Sequence, residues 1–174
     1  MPRDAVAGHD PSCHAHDGAG MSGLHAMAYT SIAYPLRESE LTALLEGARR
    51  FNGGVDVTGV LFHHAGRFFQ YFEGPENAVR LVHGRILRSP THHSLAVLLD
   101  APIASRQFPS WYMGFCEPPV NEFQTIANAE WAQAMPIMRT TMERSEGLSL
   151  VLSYWSRWVA DRPARPPGDT GEAP

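Results

Sequence analysis

Tyr29, Ser31, Asn52 and Gln70 are uncharged polar residues set in stretches otherwise made for burial. Gln70 is the sharpest case. It sits in the middle of "GRFFQYFEG" (66–74), between Phe69 and Tyr71. A buried side-chain amide is costly unless its donors and acceptor are matched. Gln70 is therefore on a solvent face, tied to another part of the fold, or hydrogen-bonded to something that is not protein. Tyr29 and Ser31 are two apart, so on a strand they share a face. Asn52 stands before Gly53-Gly54, at the end of a helical pattern. If Gln70 points to the same side of a sheet, these residues line one slot. Two amides, a hydroxyl and a phenol offer donors and acceptors without charge. Such a set suits a flat heteroaromatic ring with carbonyls and ring nitrogens, and none of its members is an obvious nucleophile or general base. Singly, each has an ordinary reading: Tyr29 as a core tyrosine, Ser31 as the start of a turn, Asn52 as a helix end, Gln70 bonded to nearby backbone.

The elements that must position these residues are legible from periodicity. "HAMAYTS" (25–31) alternates and reads as a strand. "ESELTALLEGARRFN" (38–52) puts Leu41, Leu44, Leu45, Ala48 and Phe51 on one helical face, and Asn52-Gly53-Gly54 is expected to stop it. "DVTGVLFHH" (56–64) and "RFFQYFE" (67–73) form a hairpin around a short His-Ala-Gly turn, with the histidines at its exposed end. "GPENAVRLVHGRILR" (74–88) is a helix with Pro75 in its first turn and Val79, Val82 and Ile86 inward. "SLAVLLD" (94–100) is a fourth strand, and "WYMGFCE" (111–117), carrying Trp111 and Met113, a fifth. The order β-α-β-β-α-β plus one strand predicts an α+β, ferredoxin-like sandwich with both helices on one face. In the third strand Phe68, Gln70 and Phe72 share one face, and Phe69, Tyr71 and Glu73 the other. Both faces are apolar, so the far one needs a cover. "EFQTIANAEWAQAM" (122–135) and "GLSLVLSYWSRWVADR" (147–162) can supply it. The latter places Leu148, Leu152, Trp155 and Val159 on one face with Val151 and Trp158 beside it, a surface broad enough to be buried or to meet a partner.

Bulk properties narrow the function class. The 174 residues allow one domain with a proper core, and the hydrophobic fraction of 44% fits a globular chain. A net charge of −4 gives no electrostatic footprint for nucleic acid or an anionic membrane. Cys13 and Cys116 lie far apart, which points to a reducing compartment rather than a disulfide scaffold. No apolar run has the length of a membrane span and no secretion signal is apparent, so a cytoplasmic location is expected. Residues 1–22 and 162–174 are small, polar or Pro/Gly-rich and are expected to be disordered. His9, Cys13, His14 and His16 lack a second ligand pair at zinc spacing, so no metal site is expected there.

Taken together, the marks "YTS" (29–31), Asn52, Thr58-Gly59 leading into "GRFFQYFEG", and "RQFPSWYMGF" (106–115) resemble the BLUF family, the sensors of blue light using FAD. The resemblance covers about residues 24–117. It implies that residues 23–118 hold a flavin between the two helices and that Tyr29 gives an electron and a proton to the photoexcited ring. It also implies that Gln70 bridges phenol and ring and rearranges its hydrogen bonds. The change would then reach Trp111 and Met113 and pass to the helical segment 119–161. The flavin contacts so implied are Tyr29, Ser31, Leu44, Asn52, Gln70, Arg85, Ile86 and His92. Output would run through a protein partner or a change of oligomeric state. Where family members carry an Asp-x-Arg-His stretch, this chain has "SPTHH" (89–93). His92 keeps the histidine place, Ser89 and Thr91 stand for the charged pair, and Arg85 is left as the cationic partner. Two other classes compete: a flavin-free interaction module on the same fold, and an enzyme. The chain lacks a nicotinamide fingerprint for an oxidoreductase. Its 31–39 loop is also not the glycine-rich anion cradle an acylphosphatase-like hydrolase needs.

Overall fold

The computed structural model describes residues 23–131 and 145–161. The 1–22 and 162–174 tails, the cysteine and histidines of the first tail, and positions 132–135 of the expected third helix lie outside the described residues. The elements in chain order are β1 (Leu24–Ala33), α1 (Glu38–Gly54), β2 (Thr58–His64), β3 (Arg67–Pro75), α2 (Glu76–Leu87), β4 (His92–Pro102), β5 (Gly114–Cys116), α3 (Val120–Asn128) and α4 (Glu146–Ala160). The strands form one sheet in the order β4-β1-β3-β2-β5. Neighbours are antiparallel except β2 and β5, which run parallel. This is the α+β, ferredoxin-like arrangement with an added edge strand.

Local chemistry explains the element ends. At the start of α1 the Glu40 carboxylate accepts the Arg37 backbone N–H at 2.8 Å, covering a donor the helix leaves open. Pro75 stands at the N-cap of α2 and Pro119 at that of α3. At α4 the Ser145 hydroxyl accepts the Leu148 N–H. The β2–β3 hairpin turns on Ala65 and Gly66, both at positive φ (45° and 73°), the pair of conformations that matches strand twist in a two-residue turn.

The two faces of the sheet are packed differently. On the far face Ala26, Ala28, Val60, Phe62, Phe69 and Tyr71 form one continuous core with Phe123 and Ile126 of α3 and with Leu148, Val151 and Trp155 of α4. Gly114 makes that contact possible, because a Cβ there would run into the Trp155 ring. Each fully buried aromatic or aliphatic side chain in this layer contributes roughly 1.5–3 kcal/mol. On the near face the core is divided. Met27, Tyr29, Phe72, Val79 and Val82 gather under α2. Leu45, Leu61, Phe68 and Met113 gather under α1.

Several expectations need correction. Helix α1 includes Gly53 and Gly54. It ends because the N–H groups of Val55 and Val57 both return to the Asn52 carbonyl, with Asp56 between them at a φ of 57°. Strand β5 spans only Gly114–Cys116, so Trp111 and Met113 precede it in an irregular segment rather than lying on the strand. Helix α3 stops at Asn128, where Ala129 turns extended and the Trp131 indole donates to the Ile126 carbonyl at 3.0 Å. On α4 the buried stripe is Leu148, Val151 and Trp155, with Leu152 half-buried and Val159 exposed. His63 and His64 are half-buried, and the His63 ring lies 2.9 Å from the Glu117 carboxylate. Among the described residues no helix is long and apolar enough to cross a membrane.

Candidate functional site

Between α1 and α2, where the near-face core divides, lies a slot of about 410 Å³. That is within the range of small-molecule sites. Its floor is the sheet. Cross-strand register sets Tyr29 beside Gln70, and Gln70 beside Leu61, on one face. Its walls are apolar: Leu44, Ala48 and Phe51 from α1, Val82 and Ile86 from α2. Its rim is polar, with Arg85, Ser89, Thr91 and His92 on the α2 side.

The floor carries a linear hydrogen-bond chain. The Tyr29 hydroxyl donates to Gln70 Oε1 at 2.6 Å, and Gln70 Nε2 donates to Met113 Sδ at 3.6 Å. Tyr29 is 3% and Gln70 5% exposed, so neither has water as an alternative. Burial pushes the Tyr29 phenol far above its ordinary value, which keeps it protonated and a donor. Asn52, at 2% exposure, donates its amide to the Tyr112 carbonyl at 2.9 Å. From α1 the Arg49 guanidinium also donates, to the Met113 carbonyl at 3.1 Å. The 112–113 backbone is thus pinned to α1 while the Met113 side chain enters the slot.

The rim differs from the floor. The Arg85 guanidinium reaches across to lie 4.5 Å from the centre of the Phe51 ring, a cation–π contact that spans the slot. The Ser89 and Thr91 hydroxyls pair with one another at 2.7 Å. The His92 ring stacks on Tyr29, centroids 6.1 Å apart and planes 23° apart. Burial holds the His92 imidazole below its ordinary value, so it is neutral at pH 7.

Of the residues singled out in the sequence, Tyr29, Leu44, Asn52, Gln70, Arg85, Ile86, His92 and Met113 come together around this slot. Ser31 does not line it. Ser31 is buried on the same sheet face, paired across strands with Phe68, and its Oγ has no hydrogen-bond partner. Trp111 is turned away from the slot and packs edge-on against Trp155 of α4 at 5.1 Å. Sequence reasoning missed Glu73. It is fully buried on the far face, accepting the N–H groups of Gln107 and Phe108 at 2.6 Å each and the Tyr71 hydroxyl at 2.9 Å. Burial raises its carboxyl above the ordinary value, although these donors and the nearby Arg106 oppose the rise. The available signal was its parity: Glu73 continues the odd-numbered apolar face of Phe69 and Tyr71.

The slot fits a flavin ring on its own chemistry. Its walls are apolar. Its floor offers a reorientable amide, and His92 Nδ1 is a buried polar atom with no protein partner. Fold and slot define a ferredoxin-like domain with an apolar-walled slot over a hydrogen-bonded tyrosine–glutamine pair. The chain belongs to the BLUF family, "Sensors of blue-light using FAD", whose profile matches residues 24–114. It is 35% identical over 92 residues to the photoactivated adenylate cyclase subunit beta of Euglena gracilis, a match that covers 52% of this chain and 11% of that one. Among solved structures it resembles BlrB, a BLUF protein in its dark state, with a TM-score of 0.55 and 25% identity over 62% of this chain and 80% of that one. It also resembles Klebsiella pneumoniae BlrP1 with FMN and cyclic diGMP, with a TM-score of 0.51 and 29% identity over 54% of this chain and 26% of that one. The chain therefore spans only a small part of the cyclase subunit and of BlrP1.

Proposed function

We propose that this protein is a blue-light photoreceptor that holds FAD in the slot between α1 and α2. It would signal by a hydrogen-bond rearrangement rather than by turnover. The observation that carries the reading is the Tyr29–Gln70–Met113 chain on the slot floor. The bound flavin supplies blue absorption and, when excited, a demand for one electron and one proton. Tyr29 would meet that demand: it is a neutral, desolvated phenol whose proton already points at Gln70 Oε1. Tyr29 would end as the neutral phenol it began as, so the net change would be confined to Gln70. An amide carries its acceptor and donor on one planar tip, and turning it over exchanges them. A turned Gln70 would set an NH₂ against the phenol oxygen and a carbonyl against Met113 Sδ. The methionine would thereby lose its donor and be released. Asn52 and Arg49 hold the backbone on either side, so the release is felt by side chains of the 111–113 segment.

At the rim, Arg85 is the cation placed to exchange its Phe51 contact for the FAD phosphates. His92 would flank the ring. The segment 119–161 would carry the signal onward to a protein partner or to a change in oligomeric state, since Trp111 already touches α4. A second reading, a flavin-free interaction module, draws on Arg85 lying across the slot and on the neutral Ser89–Thr91 pair. An absorption spectrum separates the two. The photoreceptor shows a flavin band that moves to the red under blue light and recovers in darkness, and Gln70→Leu abolishes the movement. Protein that stays colourless after incubation with FAD would overturn it.

A further inference from the structure

The segment 106–113 leads to the slot, and it is fastened at both ends. At the slot end the fastenings are Asn52 to Tyr112, Arg49 to Met113, and Gln70 to Met113. The other end is fastened to the same strand, β3, but through its opposite face. Glu73 is three residues beyond Gln70, so its side chain passes to the far side of the sheet. There Oε1 accepts two consecutive backbone N–H groups, those of Gln107 and Phe108, while Oε2 accepts the Tyr71 phenol. Arg106 reinforces the same point. Its guanidinium donates to the Glu73 carbonyl, to Thr58 Oγ1, and to both the carbonyl and the carboxylate of Asp56. Between the two fastenings lies Trp111. Its N–H reaches the Phe108 carbonyl, its carbonyl accepts the Gly59 N–H, and its ring rests on Trp155.

A fixed far end decides what a change at the near end does. If 106–108 could slide, release of Met113 would be absorbed by slack in the loop. With 106–108 held by charge-assisted bonds to a buried carboxylate, the displacement is confined to Trp111–Met113 and falls on Trp155. We infer that Glu73 is a positioning residue for signal transmission: it anchors the 106–108 backbone to the switch strand so that the state of Gln70 is delivered to α4 through Trp111. The relay rests on the photoreceptor reading above, whereas the anchor does not.

The test uses the full chain loaded with FAD and the Glu73→Gln variant. The amide keeps the size of the side chain but turns charge-assisted bonds into neutral ones, which are about half as strong. Two readouts separate a relay from a merely structural role. In the dark, amide exchange at Gln107 and Phe108 is expected to speed up on the order of tenfold. Under blue light, the flavin red shift should keep its size, while the light-induced change in tryptophan fluorescence and in α4 amide exchange falls severalfold. Loosened 106–108 amides with a full α4 response would overturn the relay, and unchanged 106–108 exchange would overturn the anchor. If Glu73→Gln does not accumulate as folded protein, Glu73→Asp, which draws the carboxylate back from the Gln107 and Phe108 N–H groups by one methylene, is read the same way. Unchanged exchange at 107–108 there counts against the inference. A wild-type chain with bound flavin and no red shift would instead sink the photoreceptor reading and the relay with it, leaving the dark exchange to judge the anchor alone.

Discussion

The Tyr29–Gln70 pair can be tested without light, in the flavin-free protein, by a double-mutant cycle. Tyr29→Phe removes one hydroxyl and keeps the ring that meets Phe72 edge-on at 6.4 Å. It leaves Gln70 Oε1 buried with no donor. Gln70→Leu does the reverse, stranding the Tyr29 hydroxyl and removing the donor to Met113. An unsatisfied buried polar group costs about 1–3 kcal/mol, whereas replacing both members of a pair by apolar groups of similar shape is close to neutral. Each single variant should therefore be destabilised by about 1–3 kcal/mol, and the double by no more than the worse single. The coupling energy should be on the order of 1–3 kcal/mol. With a urea m-value on the order of 2 kcal/mol/M, each single lowers the midpoint by about 0.5–1.5 M at unchanged slope. Equilibrium urea unfolding followed by tryptophan fluorescence measures all four corners. Additivity to within about 0.5 kcal/mol would refute the reasoning, because phenol and amide would then not be partners and the switch would have no bond to break.

Three further outcomes are expected. Gly114→Ala drives a methyl group into the Trp155 ring and should cost about 1–3 kcal/mol in the same unfolding assay, a loss that Trp155→Leu in the same chain relieves. His92 has a lowered folded-state pKa, so its contribution is fully present above the unfolded value near 6.5 and is lost as pH falls below it. Melting curves from pH 8 to 5 should decline less steeply for His92→Asn. Arg85→Ala removes the cation at the slot rim and should weaken FAD roughly 10- to 100-fold, the worth of a charge-assisted bond, while riboflavin, which has no phosphate, changes little in a parallel titration.

The near face of the sheet was readable because strand parity is a rigid rule. Once β1 and β3 are neighbours, Tyr29 and Gln70 must lie on one side and Phe69 and Tyr71 on the other. The helices were readable for a similar reason, since Leu44 and Ile86 fall on apolar stripes that have only one sheet to cover. What escaped was set by tertiary contacts that periodicity does not name. Parity puts Glu73 on the face of Phe69 and Tyr71, but its partners Gln107 and Phe108 arrive only some 35 positions later. Trp111 and Met113 have the composition of a strand, but their carbonyl and side-chain bonds go to Gly59, Arg49 and Gln70 rather than to a regular ladder. Ser31 obeys the parity rule and still misses the slot, because facing the right way does not set how far along the strand the cavity extends. On α4 the expected Leu148 and Trp155 are buried, while Val151 is more deeply buried than Leu152, which packs at the margin of the same core.

The divided near-face core has a consequence for how long a molecule of this protein persists. On the far face α3 and α4 share one apolar mass with the sheet. On the near face α1 and α2 each rest on a small cluster of their own, with a slot between them rather than side chains. A ligand seated there would act as a wedge stone in an arch, and the stability it adds grows with the logarithm of its free concentration over its Kd. Empty chains would open locally on the α1–α2 side first and be the form that proteases find. The number of folded chains would then follow the supply of that ligand through selective survival of filled chains.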